Sequence, residues 1–229
     1  VSGVIDWQRV AGDLDANGWA DLGPLVTDAE MRELEALYPE DRPWRSHVRM
    51  QRHGFGQGEY KYFADPLPEP VQRLRAGLYP PLAAIADRWE ERLGSARRFP
   101  PDHAALRELC RSHGQTRPTP LVLKYVAGDY NCLHQDVYGP ACFPLQVVIL
   151  LSDPATFTGG ELVLVEQRPR RQSRAEVVPM ARGRGVVFAV DQRPRQGSRG
   201  AHRVRQRHGV SRIHRGERMT LGIIFHDAA

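Results

Sequence analysis

The chain is poor in cysteine, nearly devoid of lysine and without a long apolar run. Cys110, Cys132 and Cys142 are the only thiols, and none forms a CxxC pair. So small and scattered a set makes neither a disulfide scaffold nor a thiolate metal site, and it points to a reducing compartment, hence the cytoplasm. Leu145 to Leu151 is the longest apolar stretch, broken by Gln146. It is far short of the ~20 residues of a membrane span, so no membrane contact is expected. Val1 to Asp6 has neither the basic start nor the apolar core of a secretory signal. No GxGxxG fingerprint or Walker lysine occurs, which argues against dinucleotide and P-loop chemistry. With no repeat or low-complexity linker, the 229 residues read as one domain.

Arginine is what the chain has instead. Of 32 basic residues, all but Lys61 and Lys124 are Arg. Codon usage of a GC-rich genome produces such a bias, but it does not segregate charge. From Glu166 to Arg218 there are fifteen Arg against four acids, a local +11, while the whole chain is only +5. A basic C-terminal third on a slightly acidic body suggests a surface that faces a polyanion.

Apolar periodicity divides the chain in two. Residues 1–118 read as mainly helical support with one irregular interruption, and 119–229 as a β core. Val4, Trp7, Val10 and Leu14 form one helical stripe. Thr27 and Glu30 make a capping box ahead of Met31, Leu34 and Leu37. Two further stripes flank Pro80-Pro81, and another helix is expected over 104–113. The interruption, Trp44 to Phe63, mixes Arg49, Arg52, Tyr60, Lys61, Tyr62 and Phe63 around three glycines. It predicts either a hairpin over a ligand or a surface hairpin with partly buried aromatics.

After Pro120 the period shortens toward two. Strands are expected at 121–126, 145–151, 161–165, 176–179, 186–190 and 219–226, separated by Gly- and Pro-rich turns. Many short strands without long intervening helices predict a sandwich or barrel. Gly159-Gly160 is expected to be a tight turn, and Cys132 a small buried filler.

His134-Gln135-Asp136 sets an imidazole and a carboxylate two residues apart. On an extended strand both point to one side and can share an ion. A second His completes a facial triad that leaves three open positions on Fe(II), room for a bidentate cosubstrate and O2. The alternative is a surface His hydrogen-bonded to Asp, since the chain has nine His. His208 is preferred as third ligand, with His202 as its rival; His214 and His226 have no comparable anchor.

The order Tyr125, His134-Gln135-Asp136, His208-Gly209-Val210 and Arg218 resembles the 2-oxoglutarate/Fe(II) dioxygenases. Tyr125-x-x-Gly128 with the His-Gln-Asp string is most similar to AlkB-type enzymes. Thr158 to Leu162 and the spacing from His208 to Arg218 also resemble prolyl hydroxylases. The strings at 150–154, 166–170, 221–227 and 55–63 resemble a bacterial oxygenase group acting on damaged DNA. That resemblance implies a mainly β fold with packed N-terminal helices, a cupin-like double-stranded β-helix or jelly roll. It implies Fe(II) on His134, Asp136 and His208, with 2-oxoglutarate and O2 as cosubstrates. Arg218 would meet the distal carboxylate of 2-oxoglutarate, aided by Tyr125 and Thr220, with Lys124 facing away. The sequence departs from AlkB enzymes at Leu123, where they carry Asn, and at Ile224, where they place a second Arg. The implied reaction is oxidative demethylation of alkylated bases in DNA. Arg49, Arg52, Tyr60, Lys61, Tyr62, Phe63 and the basic segment Arg199 to Arg215 are candidate substrate contacts. No obligate protein partner is implied. A peptide or small-molecule hydroxylase with the same site, or a non-enzymatic nucleic-acid-binding barrel, are the competing readings.

Overall fold

A computed structural model describes residues 4–168, 171–198 and 200–229. Pro169, Arg170 and Arg199, which fall within the motif and the basic segment above, lie outside the described residues. Helix α1 (Trp7–Asn17) starts where Asp6 accepts the N–H groups of Gln8 and Arg9, and Gly18 in the left-handed region ends it. Strand β1 (Trp19–Pro24) follows, then α2 (Asp28–Leu37), held by the Thr27/Glu30 capping box. Strands β2 (Trp44–Arg49), β3 (Gly56–Gln57) and β4 (Glu59–Phe63) precede α3 (Glu69–Arg92) and α4 (His103–Ser112).

The two stripes around Pro80-Pro81 belong to one helix, α3. Each interior proline costs about 3 kcal/mol. Burying Leu74, Leu78, Leu82, Ile85 and Trp89 on one face, at about 1.5–3 kcal/mol per large side chain, outweighs both.

The second half supplies β5 (Leu121–Val126), β6 (Tyr130–His134), β7 (Leu145–Leu150), β8 (Thr158–Gly159), β9 (Leu162–Gln167) and β10 (Arg174–Val178). The last five are β11 (Arg184–Ala189), β12 (Gln192–Gly197), β13 (Gly200–Val210), β14 (Ile213–Arg215) and β15 (Glu217–Ile224). Seven strands form a large sheet in the order β1-β11-β7-β15-β5-β4-β2. A smaller sheet runs β10-β9-β13-β6-β3, with β12 also on β13, and β14 pairs with β8. The jelly-roll expectation holds, but the large sheet draws β1, β2 and β4 from the half expected to be helical support.

Alternation along the central strands separates two environments. Val122, Val147, Ile149, Leu221 and Ile223 pack outward with α3 into the main core. Arg218, Thr220, Gly222 and Ile224, the other face of β15, line a cavity between the sheets. Among the described residues no helix is long and apolar enough to cross a membrane.

Candidate metal centre and active site

His134 and His208 are direct cross-strand partners on β6 and β13. Their rings lie 4.2 Å apart, and Asp136 stands in the loop just beyond β6. One ligand atom from each of the three residues falls within 4.8 Å of the others. Asp136 Oδ2 is 3.2 Å from His208 Nε2, and Oδ1 is 3.6 Å from His134 Nε2. His134 Nδ1 is 2.8 Å from the Cys132 carbonyl. A carbonyl only accepts, so Nδ1 carries the proton and Nε2 turns its lone pair to the centre. At His208 the Gln146 side-chain amide nitrogen lies 3.1 Å from Nε2, the same ring nitrogen that faces Asp136, while Nδ1 is buried without a hydrogen-bond partner among the described residues. Burial opposes ionisation of Asp136, yet His208, His134 and Tyr138 together hold its carboxyl well below the usual range. Two imidazoles and an ionised carboxylate, converging in a partly enclosed site, form a donor set that fits Fe(II).

A bulge in β6 builds this geometry. His208 faces His134 while Val210 faces Asn131, so two steps on β13 answer three on β6. Asn131 and His134 therefore both line the cavity. The bulge turns Cys132 outward: its thiol is exposed, correcting the expectation of a buried filler. His202 sits six residues before His208, exposed and paired with Arg195 on β12; it does not reach the centre.

Tyr125 and Arg218 are paired directly across β5 and β15, and both are buried. Arg218 Nη2 donates to Met180 Sδ at 3.3 Å, while Nη1 has no partner. Burial lowers its pKa to about 10, offset by Tyr125 and Glu161. The Tyr125 hydroxyl is buried and makes no completed hydrogen bond, although Asn131 is close enough to act on its pKa. Gly160 lets the guanidinium pass: a Cβ there would stand 2.8 Å from Arg218 Cδ. The Gly159-Gly160 turn is thus a close approach rather than an anion cradle. Thr220 lies one step further along the same face of β15, opposite Leu123. Lys124 faces away and pairs with Glu217 at 2.9 Å. The cavity joining the triad to Arg218 measures about 240 Å³.

The structure brings only some of the expected substrate contacts to this cavity. Tyr60 and Tyr62 line it, 5.3 Å apart edge to face. Lys61 does not: it points to the other side of β4, donates to the Tyr38 carbonyl at 2.7 Å and covers the Tyr38 and Trp44 rings. Phe63 is fully buried, stacked on Trp44 at 4.4 Å. Arg49 and Arg52 are exposed and outside the lining. The Trp44–Phe63 segment is a hairpin, but β4 pairs with β5 and so forms cavity wall rather than a flap.

Sequence reasoning did not find Tyr138, Gln146 or Asn131. The Tyr138 hydroxyl donates to Asp136 Oδ1 at 2.7 Å, and the Tyr62 hydroxyl to Tyr138 at 3.3 Å. A Tyr two residues beyond the carboxylate is the one local signal for this contact. His226 is a buried packing residue that accepts the Phe143 N–H at 3.2 Å.

A jelly roll with a two-His, one-carboxylate triad facing a cavity between its sheets defines an Fe(II)- and 2-oxoglutarate-dependent oxygenase. Residues 58–228 match the family model Oxygenase-NA, described as an oxygenase catalysing oxidative methylation of damaged DNA, and the chain belongs to that family. An uncharacterized protein of Mycobacterium tuberculosis is 49% identical over 199 residues, covering 82% of this chain and 85% of that protein. Among solved structures, a Pseudomonas putida prolyl-4-hydroxylase covers 97% of this chain and 100% of its own, with a TM-score of 0.54 and 16% identity. A 2OG-Fe(II) oxygenase family oxidoreductase from Burkholderia pseudomallei covers 100% of this chain and 94% of its own, at a TM-score of 0.55 and 18% identity. At such identities the likeness is one of fold.

Proposed function

We propose that this protein oxidatively demethylates alkylated bases in DNA, with His134, Asp136 and His208 holding Fe(II). Arg218 carries the oxoglutarate part of this reading, and the family's description carries the DNA part. A buried guanidinium with no carboxylate partner is costly unless an anion completes it. A dicarboxylate that reaches from the triad to Arg218 does so, with Tyr125 donating its idle hydroxyl to the same carboxylate and Thr220 beside it. Bound together, iron and 2-oxoglutarate would supply C–H hydroxylation by O2, one oxygen atom going to the substrate and the other to succinate as the cosubstrate loses CO2. Such chemistry takes a methyl off a ring nitrogen rather than adding one, because the hydroxylated methyl leaves as formaldehyde.

The protein's own part is to position and enclose. His134, its Nδ1 held by the Cys132 carbonyl, keeps its Nε2 lone pair on the centre, His208 would offer Nε2 to the same ion, and Tyr138 fixes the carboxylate of Asp136. Tyr60, half-buried in the cavity wall, is the aromatic placed to stack on a base. Tyr62 is engaged by Tyr138 and by Arg45, whose guanidinium lies 4.3 Å from its ring centre. A methyl inside a duplex is out of reach of such a cavity, so a paired base must be flipped or melted out. Three free thiols support a reducing compartment and a cytoplasmic location.

Succinate release with Fe(II) and ascorbate tests the assignment, comparing oligonucleotides with 1-methyladenine, 3-methylcytosine or no lesion. Lesion-dependent succinate with matching formaldehyde is expected. Turnover indifferent to every oligonucleotide but stimulated by a peptide or small molecule overturns the DNA assignment.

A further inference from the structure

Strand β13 turns two different faces to its surroundings. Val204, Gln206 and His208 point inward and are buried. Arg203, Arg205 and Arg207 alternate with them, exposed on the outside of the smaller sheet. Among the described residues none of these three makes an ion pair or a side-chain hydrogen bond. On the same face Arg207 is paired with Val165 of β9, Arg205 with Gln167 of β9 and Gln192 of β12, and Arg203 with Pro194 of β12. The carboxylates of β9 and β10, Glu166 and Glu176, are in register with the inward residues Gln206 and Leu164 and so do not answer the row. Three like charges recurring at ~6.8 Å along a strand repel one another and do nothing for the fold.

An aromatic pair stands across β6 from the Arg207 end of this row, where β6 pairs with β13 at His208 and Val210. His53 and Phe55 stack at 5.3 Å with planes 21° apart, and Phe55 is 47% exposed while lining the cavity. The Phe55 carbonyl accepts the Cys132 N–H at 2.9 Å, which ties the pair to β6, the strand next to β13. A charged track beside an exposed aromatic face is the arrangement that holds unpaired nucleic acid, because only an unpaired base offers its face for stacking.

We propose that single-stranded nucleic acid docks here, its phosphates on Arg203, Arg205 and Arg207 and one base on the His53–Phe55 pair at the cavity rim. The neighbouring nucleotide then faces the cavity. This rests on the DNA reading above and adds the path and the strandedness.

Anisotropy of a labelled, unmodified thymidine 15-mer, titrated with salt, tests it. The charge-removing variant R203Q/R205Q/R207Q is compared with R88Q/R98Q/R111Q on the helical side and with the charge-retaining R203K/R205K/R207K. For single strands each phosphate contact contributes about 0.7 to the slope of log K against log salt. The Gln variant is therefore expected to lose about 2 from that slope, with the Lys and helical variants near wild type. F55A is expected to bind at least about fivefold more weakly, and a matched duplex to bind more weakly than the single strand. Oxoglutarate-only succinate release stays unchanged in the arginine variants, and an unaltered thermal midpoint reports an intact fold in F55A. A wild-type slope in the Gln variant, an equal loss in the helical control, or preference for the duplex overturns the track and leaves the demethylase reading standing. A wild-type protein that neither binds nor turns over any oligonucleotide removes both.

Discussion

Tyr125 and Arg218 face one another across β5 and β15, each buried and each with an unused hydrogen-bonding group. Two idle donors meeting at one end of a cavity are a liability to the apo fold and an asset only to an anion. Arg218→Met is therefore expected to leave thermal stability unchanged or raised, because it removes an uncompensated buried charge. The same change should weaken 2-oxoglutarate by about 10- to 100-fold, the loss of hydrogen bonds from a charged group. Tyr125→Phe should cost up to about tenfold. Calorimetric unfolding and 2-oxoglutarate titration decide it: a destabilised R218M with wild-type affinity would assign Arg218 to the scaffold.

The cross-strand position of His208 makes the metal assignment equally exposed to experiment. His208→Ala and Asp136→Ala should abolish stoichiometric Fe(II) or Co(II) binding in a folded protein, whereas His202→Ala, altered out on the β12–β13 hairpin, should bind as wild type. Titration followed by Co(II) absorbance reads this directly. Metal loss in H202A and retention in H208A would reverse the choice of ligand.

Tyr138 acts on the metal through Asp136. Its hydroxyl occupies Oδ1 at 2.7 Å and so favours presentation of a single carboxylate oxygen to the ion, which keeps the remaining positions open. Tyr138→Phe is expected to weaken metal affinity by about 10- to 100-fold and to alter the Co(II) ligand-field spectrum. An unchanged affinity and spectrum would reduce Tyr138 to packing.

Legibility of the site in the sequence followed distance along the chain. His134 and Asp136 are adjacent enough for spacing alone to suggest a shared ion. His208 and Arg218 emerged from family resemblance, because nothing local in residues 200–218 marks which His faces inward. Strand β13 itself was not anticipated: its buried face carries Gln206 and His208 beside Val204, so an apolar period of two never shows. On β4 the alternation was available. Tyr60 and Tyr62 share one side, and Lys61 and Phe63 the other, so strict parity separates wall from core without coordinates. The β6 bulge is different in kind. It shifts Asn131 and Cys132 by one register step, and that shift arises from pairing with β13 rather than from any residue within β6.

Acid stability offers a test away from the metal. His103, at the start of α4, and His226, just beyond β15, are both buried, and burial, with Arg75 nearby, lowers both pKa values to about 4. In the unfolded chain each titrates near 6.5. Between those values the unfolded state takes up protons that the folded state refuses, so stability falls as pH falls from 6.5 toward 4 and levels off below. Each histidine accounts for a loss of about 3 kcal/mol across that window. Asp136, whose carboxyl is held low, loses its contribution only below about 3.8 and so stays outside it. Denaturant midpoints of chelator-treated protein should therefore drop steeply over this range. His226→Gln, whose amide oxygen can still accept the Phe143 N–H, should show a visibly shallower fall. A flat profile from pH 6.5 to 4.5, or an H226Q profile parallel to wild type, would show that the buried rings already carry protons in the native state.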